Sequence, residues 1–257
     1  MSNTSGADSG VARRDVLGMA LVAIVPCTAA AAPLTPDSTG NTMTDTKLSP
    51  RQLAIGPIAA SMAAGHMPAL ATALNKGLDA DLSVAEAKEV LVQLYAYTGF
   101  PRALNALGEL MKVLDERRAR GLKDAPGREA GAVPVGESLL ETGTANQTRL
   151  AGAPVKGPLF EFAPAIDQFL KTHLFGDIFA RDNLDWPCRE LATVAALSAL
   201  QGVESQLLSH IRISLNVGLT VGQLRQLADT LSAAGEAESS QRLNSALDQQ
   251  ARASAKS

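Results

Sequence analysis

The chain repeats itself: the stretch from Arg51 to Val84 returns as Arg189 to Val221, and this limits the fold more than any other feature. Arg51-Gln52-Leu53-Ala54 corresponds to Arg189-Glu190-Leu191-Ala192, Gly65 and Leu70 to Gly202 and Leu207, and Leu82-Ser83-Val84 to Leu219-Thr220-Val221, all 137 or 138 positions apart. Asn75-Lys76-Gly77-Leu78 echoes Asn216-Val217-Gly218-Leu219 at a slightly different offset, which implies local insertions. A duplicated helical domain accounts for this better than one continuous bundle.

The residues of both blocks favour helix. Ala and Leu dominate, aromatic residues make up 4% of the chain, and β-branched residues rarely alternate with polar ones. With 257 residues, 46% of them hydrophobic, the chain can bury a sizeable core as one large domain or two small ones. A formal charge of −3 gives no electrostatic reason to expect nucleic acid as a partner.

At the N-terminus, Arg13 and Arg14 precede an apolar run over 16–25 and an alanine cluster over 29–32, the pattern of an export signal occupying residues 1–31. The run is too short for a permanent membrane anchor. The paired arginines fit twin-arginine export and the rest fits ordinary secretion, so both routes stay open, each leading to the periplasm or the medium. Cleavage after Ala31 removes Cys27 and leaves Cys188 as the one thiol, which excludes an intrachain disulfide. Beside Trp186-Pro187 at a helix start, Cys188 reads as a buried residue.

Residues 32–47 form a polar, Pro- and Thr-containing leader. The first domain spans 48–118: Ser49-Pro50 is a helix start, Gly65 a break, Gly77 a helix end, Ser83 with Glu86 a capping box, and Gly99-Phe100-Pro101 a turn. Residues 119–163 read as a linker with a short helix near 137–140. The second domain spans 164–235, with helices near 164–174, 187–200, 204–215 and 220–234. Residues 236–257 read as a polar tail, a solvated helix that frays.

The copies differ where chemistry would reside. Glu190 aligns with Gln52 and His210 with Ala73, so a carboxylate and an imidazole stand in the second copy alone.

The residues Arg189-Glu190-Leu191-Ala192, Gly202, Gln206-Leu207, Ser209-His210 and Asn216-Val217-Gly218-Leu219-Thr220 resemble the core motif of the carboxymuconolactone decarboxylase family, within the AhpD-like superfamily. In the first block, Gly77-Leu78-Asp79, Glu86, Glu89-Val90-Leu91 and the run from Tyr95 to Leu107 resemble the same family. The resemblance covers about 48–115 and 165–233. It implies an all-α, AhpD-like fold in two tandem copies, and self-association as a trimer of two-domain chains. AhpD-type peroxidases carry a Cys-x-x-Cys shortly before the His; counting back from His210, those positions hold Val203 and Gln206. Peroxidase activity is therefore a family-level alternative without its dithiol.

Decarboxylation of a carboxylated lactone needs an anion-binding pocket, electron withdrawal into the lactone carbonyl and a proton donor. No cofactor is required. His210 suits the proton donor, since an imidazole titrates near neutral pH, with Glu190 orienting it. Arg189 or Arg212 suits the substrate carboxylate, and Glu204 and Trp186 are further candidates for substrate contact. Plain structural roles compete with each: Glu190 and Glu204 suit a helix N-terminus, His210 a satisfied core histidine, Trp186, Tyr95 and Tyr97 core packing, and His66 and His173 surface or packing positions. The histidines stand apart without metal-ligand spacing, and neither a phosphate-cradling glycine loop nor a Gly-x-Ser-x-Gly elbow occurs. The expectation is a metal-free acid/base enzyme acting on a small molecule, with a non-catalytic oligomeric binding or scaffold protein as the other class.

Overall fold

Local capping chemistry sets where the helices begin. In a computed structural model that describes residues 47–255, α1 (Pro50–Ala64) starts at Ser49, whose hydroxyl accepts from Gln52 N while Gln52 Oε1 accepts from Ser49 N. The same reciprocal box, Ser83 with Glu86, opens α3 (Val84–Ala119). Between them, α2 (Met67–Asp79) runs through Gly77, the expected helix end. That glycine serves packing, because a Cβ there would come within 3.0 Å of Ile58 on α1. The expected Gly-Phe-Pro turn is a kink inside α3, where Gly99 adopts φ 80° and ψ 161° ahead of Pro101. The expected export signal and all but the last residue of the leader lie outside the described residues.

The presumed linker holds α4 (Glu137–Ala151), a fifteen-residue helix rather than a short one. Short helices α5 (Pro158–Phe162) and α6 (Pro164–Phe169) follow, then a π-helical segment, Leu170–Ile178. Leu150 of α4 is fully buried against Leu174, Phe175, Ile178 and Phe179, a small apolar cluster of its own. The second copy continues with α7 (Trp186–Ala199), capped by Asp185, then α8 (Glu204–Asn216), α9 (Val221–Ala233) and α10 (Ala237–Ser254). The expected polar tail is thus corrected. Leu243, Ala246 and Leu247 form an i, i+3, i+4 stripe that seats α10 against α7, α8 and α9, and the surrounding polar residues conceal that stripe in the composition.

All described regular structure is helical. The most extensive packing joins α1 to α7, the helices that carry the matched Arg51 and Arg189 motifs. Around that axis the arrangement is reciprocal: α9 of the second copy lies on α1, and α3 of the first lies on α7. Gly56 makes the first of these approaches feasible, since a Cβ there would fall 2.3 Å from Leu227 Cδ1. Ile55, Ile58 and Met62 of α1 belong to the same apolar cluster as Leu191, Val194 and Leu197 of α7 and Leu247 of α10. The two copies therefore share one core. Among the described residues no helix is long and apolar enough to cross a membrane.

Candidate active site

α7 and α8 form a hairpin across Gly202, and its facing sides bring two of the predicted residues together. Glu190 from α7 is fully buried, whereas His210 from α8 keeps 8% of its surface exposed. His210 Nδ1 lies 2.8 Å from Glu190 Oε2. The carboxylate fixes the ring, and Nε2 is the nitrogen left to face a substrate. Glu190 Oε1 is buried without a hydrogen-bond partner, and so is Ser214 Oγ, one turn beyond His210 on α8. Buried oxygens without partners are uncommon and costly, and these two belong to Glu190 itself and to the helix that carries His210.

Tyr97, from the kinked part of α3 in the first copy, completes this group. Its ring meets that of His210 edge-on, with centroids 5.5 Å apart at 80°. Its hydroxyl is buried beside Thr193 and the Glu190 charge, without a hydrogen bond of normal geometry. Sequence reasoning assigned Tyr97 to packing. No spacing rule could place it here, because it belongs to the other copy.

The first copy shows what the same place becomes without these residues. By the offset of the repeat, His210 corresponds to Ala73, Gln93 to Thr230 and Tyr97 to Ala234. Ala73, Thr230 and Ala234, with Ala54, Pro57 and Ala69, line an open groove of about 400 Å³. Small residues leave space where the second copy has an imidazole and a phenol.

The expectation that Arg189 holds the substrate carboxylate is corrected. Its guanidinium is wholly buried and already engaged: Nη2 donates to Glu89 Oε1 at 2.8 Å and to Arg181 O at 2.9 Å, Nη1 to Gln93 Oε1 at 3.0 Å, and Nε to Leu184 O at 3.2 Å. Glu89 also accepts from Arg181 Nε and Asn183 Nδ2. Burial by itself would push the Glu89 carboxyl up, but these donors and the Arg189 charge outweigh it and hold the group below the usual carboxylate value. Burial pushes Arg189 down from its ordinary value, against the pull of Glu89. Gln93 closes the network by donating to Arg189 O and Thr193 Oγ1. This is a structural joint between α3 and α7.

The other candidates divide. Arg212 is half-buried and donates to Ser209 Oγ at 3.1 Å, one turn back on α8. Glu204 is exposed and accepts from Gly202 N at 3.2 Å, so it tightens the turn before α8 instead of reaching a substrate. Trp186 donates from Nε1 to Phe179 O at 3.0 Å and stacks beneath Arg149, 4.9 Å from its ring centroid. The cavity of about 460 Å³ that Trp186 lines is bordered by Phe179, Arg181 and Asp185, and by neither Glu190 nor His210.

Cys188 is wholly buried, and burial first, then the nearby Asp185 carboxylate, pushes its thiol up to about 12. Among the described residues no group of three or more His, Cys, Asp or Glu side chains is placed to hold a metal ion. No curated protein matches the chain. The carboxymuconolactone decarboxylase family matches it twice, over 34–111 and 164–249, more than half of its length. The second match takes in most of α10 as well as the hairpin that carries Glu190 and His210, and each match covers one copy of the repeat. The chain accordingly belongs to the carboxymuconolactone decarboxylase family, as a member that carries the family's unit twice.

Proposed function

We propose that this protein carries out cofactor-free acid/base chemistry, of decarboxylase or lactone type, on a small carboxylated or lactone compound at the Glu190–His210 pair. The observation that carries the reading is the direct 2.8 Å contact between a buried carboxylate and an imidazole that keeps one edge exposed. In a decarboxylation, the bond to the substrate carboxylate breaks, carbon dioxide leaves, and the electron pair passes into the conjugated lactone carbonyl as a dienolate. His210 then delivers a proton to carbon and is reprotonated from solvent, while Glu190 balances the imidazolium. Arg212, which donates to Ser209 Oγ and is only half-buried, is the arginine of this hairpin suited to the substrate carboxylate.

A thiol peroxidase finds little support, since Val203 and Gln206 stand at the dithiol positions and the Cys188 thiol is buried and held protonated. Export to the periplasm or medium rests on Arg13-Arg14 and the apolar run after them. Association into a trimer of two-domain chains is supported by Phe100, Leu104 and Met111, which stand 63–67% exposed along the second half of α3. Light scattering of the mature protein tests that assembly.

The function is tested by screening lactones and carboxylated lactones for carbon dioxide release, with His210→Gln as the comparison. A fall of about a hundredfold or more supports the reading. Full activity in His210→Gln would take the proton transfer away from this residue, and no turnover in the wild type would move the protein to the non-catalytic binding class.

A further inference from the structure

We infer that Tyr97, supplied by the first copy, is a catalytic residue of the second copy's site, its phenol donating a hydrogen bond to the lactone carbonyl oxygen of the substrate. This rests on the reading of Glu190 and His210 as the proton-transfer pair. Three observations carry it. The Tyr97 ring sits edge-on to His210, with centroids 5.5 Å apart, so phenol and imidazole are direct neighbours. That hydroxyl is buried and lacks a hydrogen bond of normal geometry, while its neighbour Thr193 is already engaged, donating to Arg189 O and accepting from Gln93. The third is the comparison between copies: where the imidazole is absent, the position matching Tyr97 is Ala234, and a groove stands open. Phenol and imidazole occur together in one copy's site and are both replaced by alanine in the other.

The chemistry assigns the phenol its role. Burial first, and then the Glu190 charge, push Tyr97 far above the ordinary tyrosine value, so it stays protonated and acts as a donor, not as a base. When carbon dioxide leaves a lactone, negative charge gathers on the carbonyl oxygen, and a fixed neutral donor in a dry site stabilises that charge without deprotonating. The division of work follows: His210 moves the proton and Tyr97 holds the oxygen. It also gives the first copy, which lacks the pair, a part in the reaction.

The test uses γ-carboxy-γ-butyrolactone, a carboxylated lactone without the conjugated electron sink, which binds without reacting. Binding to the mature protein is followed through the ring resonances of His210, told apart from His66 and His173 with His210→Gln, in wild type, Tyr97→Phe and Tyr97→Leu. Tyr97→Phe keeps the edge contact and loses only the hydroxyl, and thermal melting checks that it is folded. The expected result is a shift of His210 on binding and an affinity about tenfold weaker in Tyr97→Phe, with no further large loss in Tyr97→Leu. Equal affinity in wild type and Tyr97→Phe, with His210 still shifting, would overturn the role of Tyr97 and leave the acid/base pair standing. If His210 does not respond in the wild type, the lactone reading of the pair fails and this inference falls with it.

Discussion

Arg189 and Glu89, one hundred positions apart and in different copies of the repeat, form a 2.8 Å ion pair whose side chains are 0% and 2% exposed. The next residue along α7, Glu190, turns instead to His210. Two adjacent charged residues thus serve two purposes, one binding the copies together and the other holding the His210 ring.

The joint responds asymmetrically to mutation. Arg189→Met leaves a buried Glu89 with Arg181 as its one remaining cationic partner beside the neutral Asn183 amide, and Glu89→Leu strands a buried guanidinium; each is expected to cost about 3–5 kcal/mol. The double variant removes both charges and is expected to cost clearly less than the two single losses together. Urea unfolding monitored by circular dichroism measures all three, and strict additivity would count against the pair as a coupled unit.

Acid weakens the same joint. Arg181, Arg189 and Asn183 hold the folded-state Glu89 carboxyl below the ordinary glutamate value of 4.5, so its stabilisation is fully present above about that pH. It disappears as pH falls through the lowered folded value. The urea midpoint of the wild type should drop over this interval, and Glu89→Gln, although less stable at neutral pH, should show a flatter profile. Parallel profiles would show that other carboxylates govern acid unfolding.

Cys188 should resist thiol reagents. A wholly buried thiol pushed up to about 12 carries almost no thiolate at pH 8, a pH near the value of an ordinary cysteine. Native protein is expected to remain unmodified by a disulfide exchange reagent and to react fully once unfolded in urea. Rapid reaction of the native form would reopen peroxidase chemistry, as would peroxide turnover abolished in Cys188→Ser.

α10 should behave as part of the fold. Leu247 is 1% exposed within the shared core, and Leu247→Ala is expected to cost about 2–5 kcal/mol in thermal or urea unfolding. A loss under half a kcal/mol would restore the solvated-tail expectation.

Local signals were the legible ones. Ser49, Ser83 and Gly99 act within four residues of themselves, so the sequence marks where helices start and bend. Glu190 and His210 could be paired because a hairpin of two helices brings them together. What stayed hidden depends on contacts between copies: Glu89 as the partner of Arg189, and Tyr97 against His210. The π-helical segment carries no compositional mark, since its i→i+5 bonding draws on the same residues as an α-helix. α4 and α10 were obscured for another reason: polar residues outnumber the few apolar ones that anchor each helix.

The packing of α1 against α7 has a consequence for how such a chain can change over generations. After a duplication, one half is ordinarily free to decay or to be exchanged for a sister half. Here a substitution on either helix is felt by the other, so the halves must vary in concert. Two modules that repeat in sequence are thus bound as one along the seam, while the small residues around Ala73 leave a groove where a larger side chain has room.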